Sequence, residues 1–171
     1  MQNHFDLFQL PPRFAVDMKA LEQAYHRVQS QAHPDKFAHA GDAEKRVAMQ
    51  WATRANEAYQ TLKSPLRRAR YLCELNGVDL QTESNTAMAP GFLMQQMEWR
   101  ETLDDAKAAR DLDALERLNA ELLAEKKAEI ARIEALLDGS DYAQAGQLVR
   151  QLMFLDKFGG EIGDAFALIE G

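Results

Sequence analysis

The residues best suited to chemistry in this chain lie in one short segment, 33–36 (HPDK), with a further histidine close behind it. His33 and Asp35 have the side-chain types of a general acid–base pair, and with His39 they could ligate a metal ion. No nucleophile and no glycine-rich phosphate loop accompanies them, however. Cys73 is the only cysteine, which excludes an internal disulfide and a multi-thiolate site. The pattern favours a recognition loop, and we expect no catalysis, no cofactor and no bound metal.

Two amphipathic helices are predicted to hold this segment. Asp17 has the side chain of a helix cap, and apolar residues recur after it at helical spacing until Pro34, which disfavours helix in the residue before it. Asp42 is predicted to cap the second helix. Two such helices joined by a short loop pack as an antiparallel pair, which leaves residues 33–36 at the exposed tip. The stripe expected to be buried on the second helix comprises Val47, Trp51, Ala55, Ala58, Tyr59 and Leu62.

Further helices are predicted on both sides of this pair. A brief helix is expected near Phe5, before Pro11 and Pro12, and Ser64–Pro65 should begin another helix that ends at Gly77. Cys73 should be buried on the apolar side of that helix, although ligation of a cluster shared between subunits stays open. Residues 78–90 lack periodicity and are predicted to be a linker.

The remaining residues predict a three-helix bundle, with helices at roughly 90–110, 111–138 and 141–168. Gly159, Gly160 and Gly163 are expected to kink or fray the last helix, because glycine weakens a helix interior. Sustained apolar/polar alternation is absent from the sequence. We therefore predict an all-α fold with a first domain at 1–77, a linker at 78–90 and a C-terminal three-helix bundle at 91–171.

The net charge of −7 is unevenly divided along the 171 residues. Residues 1–76 carry 11 Lys and Arg against 8 Asp and Glu, whereas residues 77–171 carry 9 against 19. This change of sign predicts two modules with different partners. The acidic half would repel phosphates, so nucleic acid is not an expected partner. No apolar run reaches the roughly 18 residues of a membrane span and no secretory signal is visible, so we expect a cytoplasmic protein without a membrane partner.

The first helix of the bundle has two apolar faces. At about 100° per residue, one face suits the core, namely Phe92, Trp99, Leu103 and Ala106. Leu93, Met94 and Met97 project to the other side, and Phe154 lies off the apolar stripe of the last helix. A second apolar face rich in methionine is typical of an adaptable binding patch. Burial of this face between the two modules is the alternative interpretation.

The N-terminal motifs resemble those of the J-domain family. HPDK at 33–36, Tyr25 eight residues before it, NEAY at 56–59 and HFDLFQL at 4–10 carry the resemblance. It implies an antiparallel helical hairpin with HPD at its tip, which docks on a DnaK-type chaperone and triggers ATP hydrolysis there. The helix before HPD is less basic than is usual in that family, which suggests a dedicated chaperone. The chaperone-binding residues implied are Lys19, Tyr25, Arg27, His33, Pro34, Asp35 and Lys36.

The C-terminal motifs extend the resemblance to the HscB family, the J-type co-chaperones of iron–sulfur cluster assembly. FLMQQMEWRETLD at 92–104 and LMFLDKF at 152–158 are not general J-domain features, and the likeness covers most of residues 3–158. It implies a non-enzymatic regulator that binds the scaffold protein IscU and delivers it to the DnaK-type chaperone HscA. A J protein for a different client is the alternative. The scaffold-binding residues implied are Leu93, Met94, Met97, Glu98, Arg100, Glu101 and Phe154.

Overall fold

A computed structural model of the chain describes residues 2–80 and 88–171. These residues form helices and contain no strand, which confirms the all-α prediction. The chain divides into two compact units, Met1–Leu75 and Asn76–Gly171. Residues 81–87 of the predicted linker lie outside the described part. The elements are α1 (His4–Leu7), α2 (Met18–Gln31), a 3-10 turn (Pro34–Phe37), α3 (Asp42–Lys63), α4 (Pro65–Leu75), α5 (Pro90–Ala109), α6 (Leu112–Asp138) and α7 (Tyr142–Glu170).

The first unit is built on the packed pair α2 and α3. The carboxylate of Asp17 accepts hydrogen bonds from the backbone N–H groups of Lys19 and Ala20, so the predicted cap is present. Helices α1 and α4 pack against α3 and complete a core that includes Phe5, Leu21, Ala55 and Leu62, all fully buried. The chain leaves this core at Gln31, and the 3-10 turn follows at the tip of the hairpin.

Two expectations for α3 are wrong. Gly41 is the capping residue, with no side-chain hydrogen bond, and Asp42 is the first helical residue. Val47 and Trp51, expected in the core, are 51% and 40% exposed. Both side chains instead line an open cleft of about 610 Å³, together with Val28 of α2 and Phe37 of the 3-10 turn. The end of α4 falls at Leu75, two residues before the predicted Gly77.

The second unit is a three-helix bundle in which α6 and α7 form the most extensive pair. Asp111 and Asp141 cap α6 and α7 by accepting hydrogen bonds from the backbone N–H groups of Ala114 and Gln144. Because both connections are short, α5 and α6 are antiparallel, as are α6 and α7, so that α5 and α7 run in the same direction. The core contains Leu115, Leu118, Leu122, Ile133, Val149, Leu152, Leu155, Phe158 and Ile162.

Helix α7 is continuous to Glu170 through its three late glycines, so the expected fraying does not occur. A Cβ atom at Gly159 would lie 3.3 Å from Leu122 Cδ2, and glycine at this point allows α6 and α7 to approach closely. A second close approach occurs at Gly146, where a Cβ atom would lie 2.8 Å from Val78 Cγ1 and 3.2 Å from Leu80 Cδ2. The start of the predicted linker is therefore packed against α7.

A buried carboxylate on α6 was not anticipated. Glu129 is 1% exposed, and its Oε2 atom accepts a hydrogen bond of 2.5 Å from Arg132. This contact raises the pKa of Arg132 and keeps the buried charge paired. Among the described residues, no helix is long and apolar enough to span a membrane.

Candidate partner-binding sites

The HPD segment lies at the start of the 3-10 turn. His33 caps the turn, and its Nδ1 atom accepts a hydrogen bond of 3.2 Å from the backbone N–H of Asp35. The same Nδ1 atom lies 3.6 Å from Asp35 Oδ2. A protonated Nδ1 could not accept the bond from the Asp35 N–H, so the cap and an ion pair through Nδ1 exclude each other. The Asp35 carboxylate is 91% exposed and is therefore presented to a partner.

The other residues implied for chaperone binding fall into two groups. Lys19, Arg27 and Lys36 are exposed, as residues that contact a partner should be. Tyr25 is half-buried between α2 and α3, where its ring stacks on that of Tyr59. Pro34 begins the 3-10 turn, where its fixed φ favours the tight geometry. Tyr25 thus has a packing role, as its place in the helical apolar pattern of α2 predicts, in addition to the docking role that the resemblance implies.

Neither thiol nor imidazole chemistry finds support in the first unit. Within residues 2–80 and 88–171, no group of three or more His, Cys, Asp and Glu side chains could hold a metal ion, so His33, Asp35 and His39 do not form a site. Cys73 is fully buried, and its burial raises the pKa of the thiol to about 11. A buried, protonated thiol is a poor metal ligand, because the thiolate is the ligating form. Cys73 therefore serves the core.

An exposed apolar face is present on α5, as predicted. Phe92, Trp99, Leu103 and Ala106 are buried, whereas Leu93, Met94 and Met97 are 47–72% exposed. Phe154 on α7 is 53% exposed. A helix needs only one apolar face to join a bundle, so the second face of α5 is available for recognition.

Two contacts between α5 and α7 show how these residues are aligned. Arg100 forms an ion pair of 3.0 Å with Glu161, and Arg110 donates a hydrogen bond of 2.8 Å to the backbone oxygen of Ile169. The helices are therefore parallel and in register at both points. Seven residues are close to two helical turns, so stepping back by seven from Arg100 and Glu161 reaches Leu93 and Phe154 on the same face. We call Leu93, Met94, Met97 and Phe154 the apolar patch.

Charged side chains surround the apolar patch. Glu98 and Glu101 are exposed on α5. Arg100 is engaged within the bundle, because its Nη1 and Nη2 atoms lie 3.5 and 3.0 Å from the two carboxylate oxygens of Glu161. Its guanidinium also lies 5.8 Å from the ring centroid of Phe158. Glu161 was not identified from the sequence, although its position seven residues after Phe154 placed it on the same face.

Comparisons with known proteins agree with this architecture. The family described as HSCB C-terminal oligomerisation domain matches residues 88–163. The co-chaperone protein HscB homolog of Burkholderia mallei is 58% identical over 168 residues, which cover 98% of this chain and 96% of that relative. The chain belongs to the HscB family. The resemblance identified from the sequence motifs is therefore confirmed, and the chain is a J-type co-chaperone.

Solved structures of the HscB family share the same fold. Chaperone HscB from Vibrio cholerae aligns with a TM-score of 0.86 and 35% identity, covering 98% of this chain and 99% of that one. Human co-chaperone protein HscB aligns with a TM-score of 0.89 and 25% identity, covering 95% and 81%. Membership of a co-chaperone family indicates a protein that acts with a chaperone partner and regulates it, rather than an enzyme with its own active site.

Proposed function

We propose that this co-chaperone binds the iron–sulfur scaffold protein IscU and delivers it to the DnaK-type chaperone HscA in the cytoplasm. Binding of both partners stimulates the HscA ATPase and promotes cluster transfer from the scaffold. The chain contributes two docking surfaces to this process and no reacting group. The observation that carries the proposal is the exposure of Leu93, Met94, Met97 and Phe154, four large apolar side chains outside the core of the bundle.

The apolar patch has the features of a protein-binding centre. Two methionines and one phenylalanine can adapt to and fill an apolar surface on a client. Exposed Glu98 and Glu101 form a charged rim at the side of the patch. An apolar centre with a polar rim concentrates binding energy in a few residues, so a small patch can hold a client protein.

The HPD loop supports the chaperone-binding half of the proposal. The exposed carboxylate of Asp35 can accept charge-assisted hydrogen bonds from an arginine of HscA. Lys19, Arg27 and Lys36 lie exposed on the same helix or turn and can pair with acidic groups of that partner. The 3-10 turn prearranges the loop, which reduces the conformational entropy that is lost on binding.

In the proposed mechanism, each of the two surfaces binds a different partner. The bundle holds IscU, the HPD loop engages ATP-bound HscA, and the scaffold is thereby placed near the peptide-binding site of the chaperone. Hydrolysis of ATP by HscA then traps the scaffold in a state that favours release of its cluster. The cluster is cargo of the scaffold and needs no ligand from this chain.

The test is the steady-state ATPase rate of HscA with this protein, with IscU, and with both, for wild type and His33→Gln. We expect stimulation that is synergistic with IscU and is lost in His33→Gln. Stimulation without synergy would retain the J-type role and replace IscU by a different client, which is the second candidate. Absence of any stimulation would contradict the assignment of the HPD loop to HscA.

A further inference from the structure

The apolar patch is divided between two helices, so its shape depends on how α5 and α7 are aligned. Leu93, Met94 and Met97 come from α5, whereas Phe154 comes from α7. The ion pair between Arg100 and Glu161 joins these helices two turns further along, on the face that carries the patch. Among the described residues, it is the only side-chain ion pair between α5 and α7.

We propose that Glu161 is a positioning residue for scaffold binding. Through Arg100 it fixes α7 against α5, so that Leu93 and Phe154 are presented as one surface. This inference rests on the proposed binding of IscU to the patch. It also changes the role of Arg100: the family resemblance implies direct contact with the scaffold, whereas in this chain both terminal nitrogens of Arg100 face the carboxylate of Glu161.

Three contacts together make this pair more than an ordinary surface ion pair. Arg100 Nη2 donates a hydrogen bond of 3.0 Å to Glu161 Oε2, and Nη1 lies 3.5 Å from Oε1, so only the first contact has the usual length of a hydrogen bond. The guanidinium also lies over the ring of Phe158, 5.8 Å from its centroid. Phe158 is buried and stacks on Trp99 of α5, with ring centroids 5.9 Å apart. The pair is therefore anchored to the aromatic contact that joins the two helices.

The pair is partly solvated, which makes its role separable from folding. The side chains of Arg100 and Glu161 are 57% and 35% exposed, and an ion pair of this kind contributes little to global stability. Its removal should loosen the alignment of α5 and α7 without unfolding the bundle. A patch that is no longer prearranged must be ordered by the scaffold as it binds, and affinity falls.

Titration calorimetry of the full chain with purified IscU tests the inference. We expect Glu161→Gln to weaken binding about three- to tenfold. The exchanged double variant Arg100→Glu/Glu161→Arg should restore part of the affinity, because it rebuilds the ion pair in the opposite sense but not the contact of the guanidinium with Phe158. Asp156→Asn is the matched control: it removes an interhelical ion pair of 3.1 Å with Lys126 that joins α6 to α7 instead. That variant should bind like wild type.

Each contrary result has a distinct meaning. Unchanged affinity in Glu161→Gln would overturn the positioning role. Weakened affinity that the exchanged variant fails to restore would overturn it in favour of direct recognition of the Arg100 cation by IscU. A wild-type chain that does not bind IscU would overturn the proposed function itself, and this inference with it.

Hydrogen exchange on the free protein separates these cases without the scaffold. We expect Glu161→Gln to accelerate amide exchange in α5 around Arg100 while α6 keeps its wild-type rates. Unchanged exchange in α5 would show that Glu161 does not hold the helix, whatever the binding data. Faster exchange together with absent binding of IscU by wild type would place the failure in the proposed function alone.

Discussion

Tyr25 of α2 and Tyr59 of α3 stack face to face, with ring centroids 4.2 Å apart and planes inclined by 7°. The hydroxyl of Tyr25 donates a hydrogen bond of 3.3 Å to Asn56 Oδ1 and accepts one of 3.0 Å from Gln29 Nε2. Phe8 meets the same ring edge-on, with centroids 6.5 Å apart. A residue that family resemblance assigns to chaperone docking is therefore also a component of the helix pair that supports the HPD loop.

Substitution of Tyr25 should separate the contribution of its ring from that of its hydroxyl. Tyr25→Phe keeps the stack and loses two hydrogen bonds, so we expect the free energy of unfolding to fall by about 0.5–1.5 kcal/mol. Tyr25→Ala also loses the ring contacts, and we expect its free energy of unfolding to lie about 2–4 kcal/mol below that of wild type. Urea denaturation of the three proteins measures both values. Equal losses in the two variants would show that the stack contributes nothing.

Asp35→Asn should affect chaperone activation without affecting the fold. The side chain is 91% exposed, so the substitution should change the free energy of unfolding by less than about 0.5 kcal/mol. We expect stimulation of the HscA ATPase to fall by at least about tenfold, because the amide lacks the charge that an arginine recognises. Glu22→Gln, an exposed acid-to-amide change on α2, is the control and should stimulate normally. Equal stimulation by Asp35→Asn and the control would remove Asp35 from the interface.

Phe154→Ala should weaken scaffold binding because it removes the part of the apolar patch carried by α7. Aromatic anchors at the centre of an interface are commonly worth more than 1.4 kcal/mol, so we expect at least about a tenfold loss of affinity for IscU. Leu168 is a matched control, since it is also apolar, on α7 and 63% exposed, but lies about 21 Å from Phe154 along the helix. Leu168→Ala should bind normally in the same calorimetric titration, and a similar loss in both variants would argue against a defined patch.

The glycines of α7 should respond to alanine in opposite directions. Nothing lies within 4 Å of a Cβ atom at Gly160, so Gly160→Ala should raise the free energy of unfolding by about 0.5–1 kcal/mol through helix propensity. At Gly146 the added Cβ atom would meet Val78 and Leu80, and we expect Gly146→Ala to lower the free energy of unfolding by about 1–3 kcal/mol. Thermal denaturation measures both. The second change Val78→Ala should rescue Gly146→Ala if crowding is the cause.

Cys73 should make stability depend on pH in the alkaline range. Its pKa is raised by burial from 9.0 to about 11, so the folded state retains the proton more strongly than the unfolded chain does. The protonated thiol therefore contributes at most about 3 kcal/mol to the free energy of unfolding. This contribution is fully present below pH 9 and is lost as the pH rises towards 11. Urea denaturation from pH 8 to 11 should show a steeper decline in wild type than in Cys73→Ala. Parallel declines would contradict the raised pKa.

The helices themselves follow from interactions between residues that are close in sequence. Asp17, Asp111 and Asp141 each cap the helix that follows, and Pro65 begins α4 as the pattern predicts. The exception is informative. Asp42 has the right side chain for a cap, but Gly41 takes that position with extended backbone and Asp42 is already helical, so the helix begins one residue earlier than its side chains predict.

Burial could be predicted only where a neighbouring helix was certain to be present. The core and exposed faces of α5 agree with helical periodicity, since any bundle must cover one face. Periodicity cannot tell how closely neighbouring elements pack, and Trp51 was expected in the core although it lines an open cleft. Glu129 is the converse case: a carboxylate in the apolar stripe of α6 is buried because Arg132 pairs with it.

By itself, the sequence determined the all-α class, the HPD loop, the family and the members of the apolar patch, because these depend on residue type and local spacing. Tertiary structure decided that Arg100 of α5 faces Glu161 of α7, and that α7 passes unbroken through its glycines. The first of these depends on the register of two helices that are distant in sequence, and the second on the contacts that hold α7 in the bundle. Register is set by packing of the whole bundle, which no local pattern encodes.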